Sequence, residues 1–238
     1  VPLAYTRMGG GFTFASEIKA LLHVTGVQRT VNRRAVDDYL SMRYAPGPET
    51  FFEGIFQLEP GFMLLIDREG GGVSRPWCDP LLPERYTNPF SSPKEAAEEL
   101  DRLLQVSVDR RFQGDVAKGL YLSGGLDSSV LAHYSQSHSN PPRHYFSHGF
   151  DGKTDEIPAA RAVAKTLGVH LTEVPLGEDL MGELPQVVSA IEAPVANSDI
   201  LGLWALARSA SQQVKVILCG EGADELFGSY HHQQTLLR

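Results

Sequence analysis

The sequence predicts an α/β protein whose larger part is a Rossmann-like parallel sheet. Two observations support this prediction. From residue 92 onward, apolar runs of strand length alternate with runs of helical length, a pattern typical of a parallel sheet with helices on both faces. Two of the apolar runs end in glycine-rich loops, and ligands of such sheets bind beyond the carboxyl ends of the strands. The sequence therefore predicts a ligand site at one edge of the sheet.

The first 75 residues differ, because their apolar runs are short and separated by turn residues. Asn32 is a typical helix N-cap residue, and Gly9-Gly10-Gly11 has the composition of a hairpin turn. The elements predicted here are strands at 4–6 and 12–14, a helix at 16–22, a helix carrying Val36, Tyr39 and Leu40, and a strand at 62–66. Prolines and polar residues between Trp77 and Pro93 predict an extended linker.

A long helix opens the second part of the chain. Ser92 to Glu95 form the pattern of a capping box, with Pro93 at the first helical position. Its apolar face is expected to comprise Leu100, Leu103, Leu104 and Val108. The elements predicted after it are a strand at 120–122, a helix through 131, a strand at 144–150, a helix at 155–167 capped by Gly168, a strand at 170–174, helices over 180–191 and 200–207, and a strand at 214–218.

Composition and charge exclude several classes of protein. The net charge is −8, and an acidic chain without a basic stripe is unsuited to binding nucleic acid. No apolar run approaches the ~18 residues of a transmembrane helix, so we expect no membrane partner. Cys78 and Cys219 are too few for a disulfide framework and suit a reducing compartment. We therefore expect a cytoplasmic protein.

The first glycine-rich loop runs from Leu122 to Ser129 and has the sequence LSGGLDSS. Its two glycines let the backbone approach an anion, and its hydroxyls and the N–H groups of the next helix are donors for phosphate. It lacks the lysine of a Walker A motif. A carboxylate at Asp127 would repel phosphates unless Mg²⁺ lay between them. The alternative is a strand-to-helix turn that uses glycine and serine only for its geometry.

The second loop follows the last apolar strand and reads CGEGADELFG over residues 219–228. On one helical turn, Glu221 would share a face with Asp224 or Glu225. Clustered acids repel one another unless a cation or a proton intervenes, so the cluster predicts Mg²⁺ binding together with general acid–base chemistry. The alternative is an acid-rich helix N-terminus that interacts favourably with its own dipole.

Four segments together resemble the glutamine-dependent asparagine synthetases. Residues 123–129 match the SGGLDSS form of that family's pyrophosphatase loop, and residues 220–228 resemble its second active-site loop. Residues 14–21 are similar to the end of the family's glutaminase domain, and residues 44–61 resemble the passage between its domains. The resemblance implies a PP-loop domain of the adenine nucleotide alpha hydrolase type, preceded by a remnant of an N-terminal-nucleophile β-sandwich.

The resemblance also implies a division into domains. Residues 1–75 would be the C-terminal part of the glutaminase (class II amidotransferase) domain, residues 76–90 a linker, and residues 91–238 the N-terminal part of the ATP-pyrophosphatase domain. The family's N-terminal cysteine nucleophile and a downstream lysine have no counterpart here. We therefore expect an internal, incomplete and inactive segment of a longer protein. A homodimer is compatible with the resemblance, although the residues leave the oligomeric state open.

Roles for individual residues follow from the same resemblance. Those that would bind ATP are Leu122, Ser123, Gly124, Gly125, Asp127, Ser128, Ser129, His148, Cys219 and Gly220. Asp127 and Asp224 would bind Mg²⁺, and Glu221 would be the general base. Two positions depart from the family pattern, because His148 stands where an apolar residue is usual and Cys219 where serine is common.

The implied activity is ATP-dependent amide formation. Aspartate would be adenylated to aspartyl-AMP, and ammonia derived from glutamine would displace AMP to give asparagine. The partners would then be small molecules, namely ATP, aspartate, and glutamine or ammonia. Two alternatives stay open. One is a secondary-metabolism relative that closes a lactam or transfers nitrogen to another acid, and the other is a non-catalytic nucleotide-binding or interaction module.

Overall fold

A computed structural model describes residues 2–77, 90–138, 141–149, 156–177, 180–194, 197 and 199–230. The chain divides into two compact units. The first unit comprises Val1–Asn88 and Pro185–Asn197, and the second comprises Pro89–Leu184 and Ser198–Arg238. The first unit is thus assembled from two separate stretches of sequence. The boundaries at residues 75 and 90 stay predictions.

The predicted helices and strands occur in the predicted order, and two short strands at Ile55–Gln57 and Gly72–Pro76 are additional. Up to residue 76 the elements are β1 (Ala4–Met8), β2 (Gly11–Ala15), α1 (Ile18–Leu22), α2 (Arg33–Met42), β3 (Ile55–Gln57), β4 (Phe62–Ile66) and β5 (Gly72–Pro76). They are followed by α3 (Pro93–Arg111), β6 (Lys118–Tyr121), α4 (Leu126–Gln136), β7 (His144–Gly149), α5 (Ile157–Leu167) and β8 (Leu171–Pro175). The last elements are a 3-10 helix (Leu180–Glu183), α6 (Leu184–Ile191), α7 (Asp199–Ala210), β9 (Val216–Leu218) and α8 (Ala223–Phe227).

The first unit contains an antiparallel sheet of order β2-β1-β3. The predicted hairpin is confirmed, and its turn needs glycine because Gly9 and Gly10 have φ of +55° and +82°. Ala4, Leu21 and Ile55 form the buried core of this sheet. Strands β4 and β5 pair with each other as a second antiparallel hairpin.

Side chains cap α1 and α2 of the first unit. Asn32 is confirmed as the N-cap of α2, because its Oδ1 accepts from N of Arg34 and of Ala35 at 3.1 and 3.3 Å. Helix α1 is capped from far along the chain. The Glu192 carboxylate accepts from N of Ile18 and of Lys19 at 2.7 and 2.6 Å, and Glu192 holds a left-handed φ of 61°. These two bonds connect Pro185–Asn197 with Val1–Asn88 inside the first unit.

The second unit contains the predicted parallel sheet, with strand order β8-β7-β6-β9. Neighbouring residues of β7 pack on opposite faces. Tyr145 lies in a buried cluster with Leu120 and Ala160, while Phe146 lies in another with Leu206. Because α4 and α5 cover one face and α7 the other, the α/β layer arrangement is confirmed.

Helix α3 corrects two details of the prediction. Ser92 Oγ accepts from N of Glu95 at 3.2 Å as expected, but the Glu95 carboxylate accepts from N and Oγ of Ser91 at 2.8 and 2.6 Å. The bonds from Oγ and N of Ser91 lower the pKa of Glu95. The apolar face is only partly covered, since Leu100 and Leu103 are 39% and 49% exposed. Among the described elements, α3 packs mainly on α4.

The single helix predicted over 180–191 is a 3-10 turn followed by α6. Most of the predicted linker lies outside the described residues, as do Cys78 and Phe150. Among the residues that are described, none of the helices combines the length and the hydropathy needed to cross a membrane.

Candidate functional site

The two glycine-rich loops leave neighbouring strands at the same edge of the sheet. Strand β6 pairs with β9 so that Leu120 lies opposite Leu218. The chain passes from β6 to β7 on one side and returns to β9 on the other. This reversal is the topological switch point at which open α/β sheets bind ligands.

The first loop turns sharply at Gly124. Leu122 is buried and donates its N–H to O of Phe146 at 2.9 Å, so the loop starts as a continuation of the sheet. Gly124 then takes φ +81°, and a Cβ there would stand 2.5 Å from backbone atoms of Ala159 and Ala160. Any side chain would therefore collide with α5. The glycine is required by both conformation and space.

The serines of this loop bond mainly to the loop itself. Ser128 Oγ accepts from N of Ser123 at 3.2 Å and lies 2.9 Å from Ser123 Oγ. Ser129 Oγ donates to O of Gly125 at 2.6 Å. Gly125 caps α4 without a side-chain bond to the first turn. The serines therefore shape the loop, while the N–H groups in the first turn of α4 have no side-chain cap.

Gly220 packs the second loop against the first. A Cβ on Gly220 would lie 3.0 Å from Cβ of Asp127 and 3.3 Å from N of Ser128. The structure thus brings residues of the two predicted loops into contact at the first turn of α4. Asp127 is half-buried there, and Cys219, which precedes Gly220, is exposed.

The predicted helical face of acids is wrong for Glu221. Helix α8 begins only at Ala223, because Gly222 adopts φ +91° as its N-cap. Glu221 therefore precedes the helix, in an exposed turn, and does not share a helical face with Asp224 or Glu225. A left-handed residue between them separates the candidate base from the candidate metal ligand.

The acidic loop creates a negative environment. Oδ1 of Asp224 accepts a hydrogen bond from the Ser229 hydroxyl, and Oε1 of Glu225 accepts from Tyr230 Oη at 2.9 Å. The bond to Glu225 raises the pKa of Tyr230, and the charges of Glu225, Asp224 and Glu221 add to the effect. Such a cluster favours a cation nearby.

His148 lies at the carboxyl end of β7, the strand next to β6. Its imidazole covers Gly202 of α7, where a Cβ would lie 2.8 Å from Cε1. Its Nδ1 is buried without a hydrogen-bond partner in the described part of the chain. Sequence reasoning missed Gly202, although a glycine inside a predicted helix is a signal of close packing. It also missed Tyr121, whose pKa is raised by burial and by its proximity to Cys219.

Mg²⁺ is the metal that this donor set would suit. Within the described residues, no group of three or more His, Cys, Asp or Glu side chains is arranged to hold a metal ion. Mg²⁺ in nucleotide sites needs only one or two carboxylates, because substrate phosphates supply further ligands. The contact between Gly220 and Cβ of Asp127 brings the loop that carries Asp224 next to the loop that carries Asp127. Asp127 and Asp224 therefore fit the chemistry of Mg²⁺ bound together with phosphates.

Comparison with known proteins gives matches over most of the chain. The asparagine synthase family model matches residues 99–238, and the glutamine amidotransferase domain model matches residues 1–77. A putative glutamine-hydrolysing asparagine synthetase of Mycobacterium tuberculosis is 34% identical over 96% of this chain and 36% of its own length. Asparagine synthetase 1 of Bacillus subtilis is 31% identical over 97% and 36%. The chain thus spans 36% of the length of these relatives.

One further relative is named an amidase, and one solved structure is similar only with a low TM-score. Amidase chyE of Penicillium rubens is 30% identical over 96% of this chain and 36% of its own length. A glutamine-dependent NAD⁺ synthetase of Acinetobacter baumannii, solved with ADP, aligns with a TM-score of 0.38 and 13% identity over 77% of this chain and 34% of that one. That structural likeness is too low to bear on function. The sequence matches decide the question, and the chain belongs to the asparagine synthase family.

Proposed function

We propose that the second unit binds ATP and uses it to activate the side-chain carboxylate of aspartate for amide formation. The observation that carries the proposal is the packing of Gly220 on the first turn of α4, at the switch point between β6 and β9. That contact joins a loop suited to phosphate with a loop rich in carboxylates. Membership of the asparagine synthase family supports ATP-dependent ligase chemistry.

The phosphates would bind at the first turn of α4. The N–H groups of that turn have no side-chain cap, and the positive end of the helix dipole favours an anion there. Gly124 and Gly125 remove the Cβ atoms that would hold a phosphate away from the backbone. The serine hydroxyls that now bond within the loop keep this backbone in shape.

The reaction would proceed in two steps. A carboxylate oxygen of aspartate attacks the α-phosphorus of ATP, the bond to the bridging oxygen of the β-phosphate breaks, and pyrophosphate leaves. Ammonia then attacks the acyl carbon of the aspartyl adenylate, the acyl–oxygen bond to AMP breaks, and a proton is lost from nitrogen. The products are asparagine, AMP and pyrophosphate, so atoms and charge balance.

Three carboxylates would divide the work. Asp127 and Asp224 would hold Mg²⁺, which offsets the charge of the phosphates when bound. Glu221, in the exposed turn before α8, would accept the proton that ammonia loses. The separation of Glu221 from the helix by Gly222 supports this division, because a base must face the acyl carbon while a metal ligand faces phosphate.

The first unit would be part of the domain that supplies ammonia. Residues 1–77 match the glutamine amidotransferase domain model, and the relatives from Mycobacterium tuberculosis and Bacillus subtilis are named as glutamine-hydrolysing. We propose glutamine as the nitrogen donor on that basis.

ATP binding to the purified chain tests the nucleotide site. We expect binding, measured by equilibrium dialysis, to require Mg²⁺ and to weaken at least about tenfold in Asp127→Asn. Asp37→Asn on α2, an exposed carboxylate of the first unit, is the matched control and should bind as the unaltered chain does. Equal binding by Asp127→Asn, or binding that ignores Mg²⁺, would show that Asp127 is not a metal ligand.

The identity of the acceptor acid needs a separate experiment. ATP–pyrophosphate exchange in the complete gene product should depend on aspartate. A second candidate is a relative that acts on another acid, and the similarity to a protein named an amidase favours keeping it. Exchange that aspartate does not stimulate, but another carboxylic acid does, would replace the first candidate with the second.

A further inference from the structure

Lys118 is a buried cation at the edge of the sheet opposite to the two loops. It is the first residue of β6 and is only 9% exposed. Its Nζ donates to O of Gly114 at 2.6 Å and to O of Val116 at 3.1 Å. Both acceptors are neutral carbonyls. In the described ranges Lys118 forms no ion pair, although buried charges are normally paired.

An ammonium group has three N–H donors. Two of the three on Lys118 point to carbonyls, so one donor is left for another acceptor. A cavity of about 270 Å³ opens beside it. Its charged and titratable lining residues are Asp115, Lys118, Arg143 and His144, and Pro141 and Pro142 form a stiff wall.

The charges around this cavity suit a small anion. Lys118 and Arg143 contribute two positive charges and Asp115 one negative charge, so these three side chains leave the site net positive. A guanidinium group has the fork geometry that binds a carboxylate through two parallel hydrogen bonds. Asp115 offsets one of the two positive charges, so a singly charged anion would neutralise the remaining charge of the lining. The cavity volume lies just below the usual range for drug-sized ligands.

We propose that this cavity binds a small monocarboxylate, with Lys118 and Arg143 as its ligands. Lys118 then gains the counter-charge that its buried position lacks. The site is separated from the nucleotide loops by the length of β6, and it does not depend on the proposed ATP chemistry. An amino acid such as glycine fits the same lining, because its ammonium group adds an attraction to Asp115.

A titration of the purified, isotope-labelled chain tests the proposal. With chloride-matched ionic strength, acetate should cause saturable amide shifts at Lys118 and Arg143 at millimolar concentration. Glycine should shift the same amides. Lys118→Met should weaken acetate binding at least about tenfold, and Lys165→Met on the exposed side of α5 should leave binding unchanged.

Arg143→Gln is the second variant, chosen because Arg143 is exposed and its replacement should not disturb folding. It should weaken acetate binding to a similar degree even if Lys118→Met fails to fold. Shifts that do not saturate, or that chloride reproduces, would overturn the site. Retained binding in Arg143→Gln would overturn it as well, and phosphate binding tighter than acetate would overturn the assignment to a monocarboxylate.

Discussion

The two glycine-rich loops differ in how closely they are packed and hydrogen-bonded. In the loop at 122–129, the serine hydroxyls bond to one another and to the backbone, and Gly124 fits tightly against α5. In the loop at 219–225, Gly222 has open space around it and Glu221 is exposed. The comparison indicates that Gly124 and the serines fix the shape of the first loop, whereas the second loop is packed less closely and holds most of the acidic side chains. Substitution of Gly124 or Ser128 should therefore affect stability most, and substitution of Glu221 should affect chemistry.

The largest expected effect is on the rate of amide release. Glu221→Gln should lower that rate by about 10²–10⁴, because a positioned general base is lost, while ATP–pyrophosphate exchange stays within a few-fold of normal. The two half-reactions would be measured separately in the complete gene product. Glu225→Gln is the matched control, since Glu225 bonds to Tyr230 and is given no part in the reaction. Equal losses in both half-reactions would place Glu221 in binding or structure instead.

The next effect contrasts two glycines with positive φ. Gly124→Ala should lower the free energy of unfolding by about 3 kcal/mol or more, because strain adds to a collision with α5. Gly222→Ala should lower it by only about 1–2 kcal/mol, since nothing lies within 4 Å of its Cβ position. Urea denaturation of the purified variants gives both values. Equal losses in the two variants would show that the close packing at Gly124 does not add to the cost of the substitution.

A smaller contrast separates two serines. Ser128 is buried, and its Oγ accepts from N of Ser123 and donates to O of Gly125. Ser128→Ala should therefore reduce the free energy of unfolding by about 1–2 kcal/mol. Ser229 bonds to Asp224 at an exposed site, so Ser229→Ala should change it by less than about 0.5 kcal/mol. The same urea measurements apply. A larger loss in Ser229→Ala than in Ser128→Ala would contradict the view that the serine hydroxyls of the first loop contribute more to stability.

The smallest expected effect is a change in the pKa of Tyr230. Tyr230 should ionise above its ordinary pKa of 10.0, because Glu225 accepts its proton in a hydrogen bond and nearby carboxylates oppose a new negative charge. The raised folded pKa means that its contribution to stability is complete below pH 10.0 and fades as pH rises through the folded value. Tyrosine-selective NMR would follow the change. Glu225→Gln should move the pKa back towards 10.0, and an unchanged pKa would show that the bond is not formed in solution.

Much of the fold follows from local pattern. The cap at Asn32, the hairpin at Gly9 and Gly10 and the alternation that builds the parallel sheet are all confirmed. Each depends on residues close together in sequence. The loop motifs likewise indicated which residues would gather, and the contact of Gly220 with Asp127 agrees with that expectation.

The details that sequence reasoning missed depend on long-range packing or on one backbone angle. Glu221 left its expected helical face because Gly222 adopted a left-handed conformation, and glycine has little preference between the two hands. Likewise, nothing near Gly202 in the sequence indicates that it would meet His148. The roles of these residues in binding and catalysis stay predictions.

The remote cap on α1 has a practical consequence for dividing the gene. Glu192 lies more than a hundred residues beyond the helix that it caps, and its carboxylate accepts from N of Ile18 and of Lys19. A gene cut near residue 90 would therefore give an amino-terminal half in which two N–H groups of α1 have lost their acceptor. The two halves would then carry complementary parts of one unit.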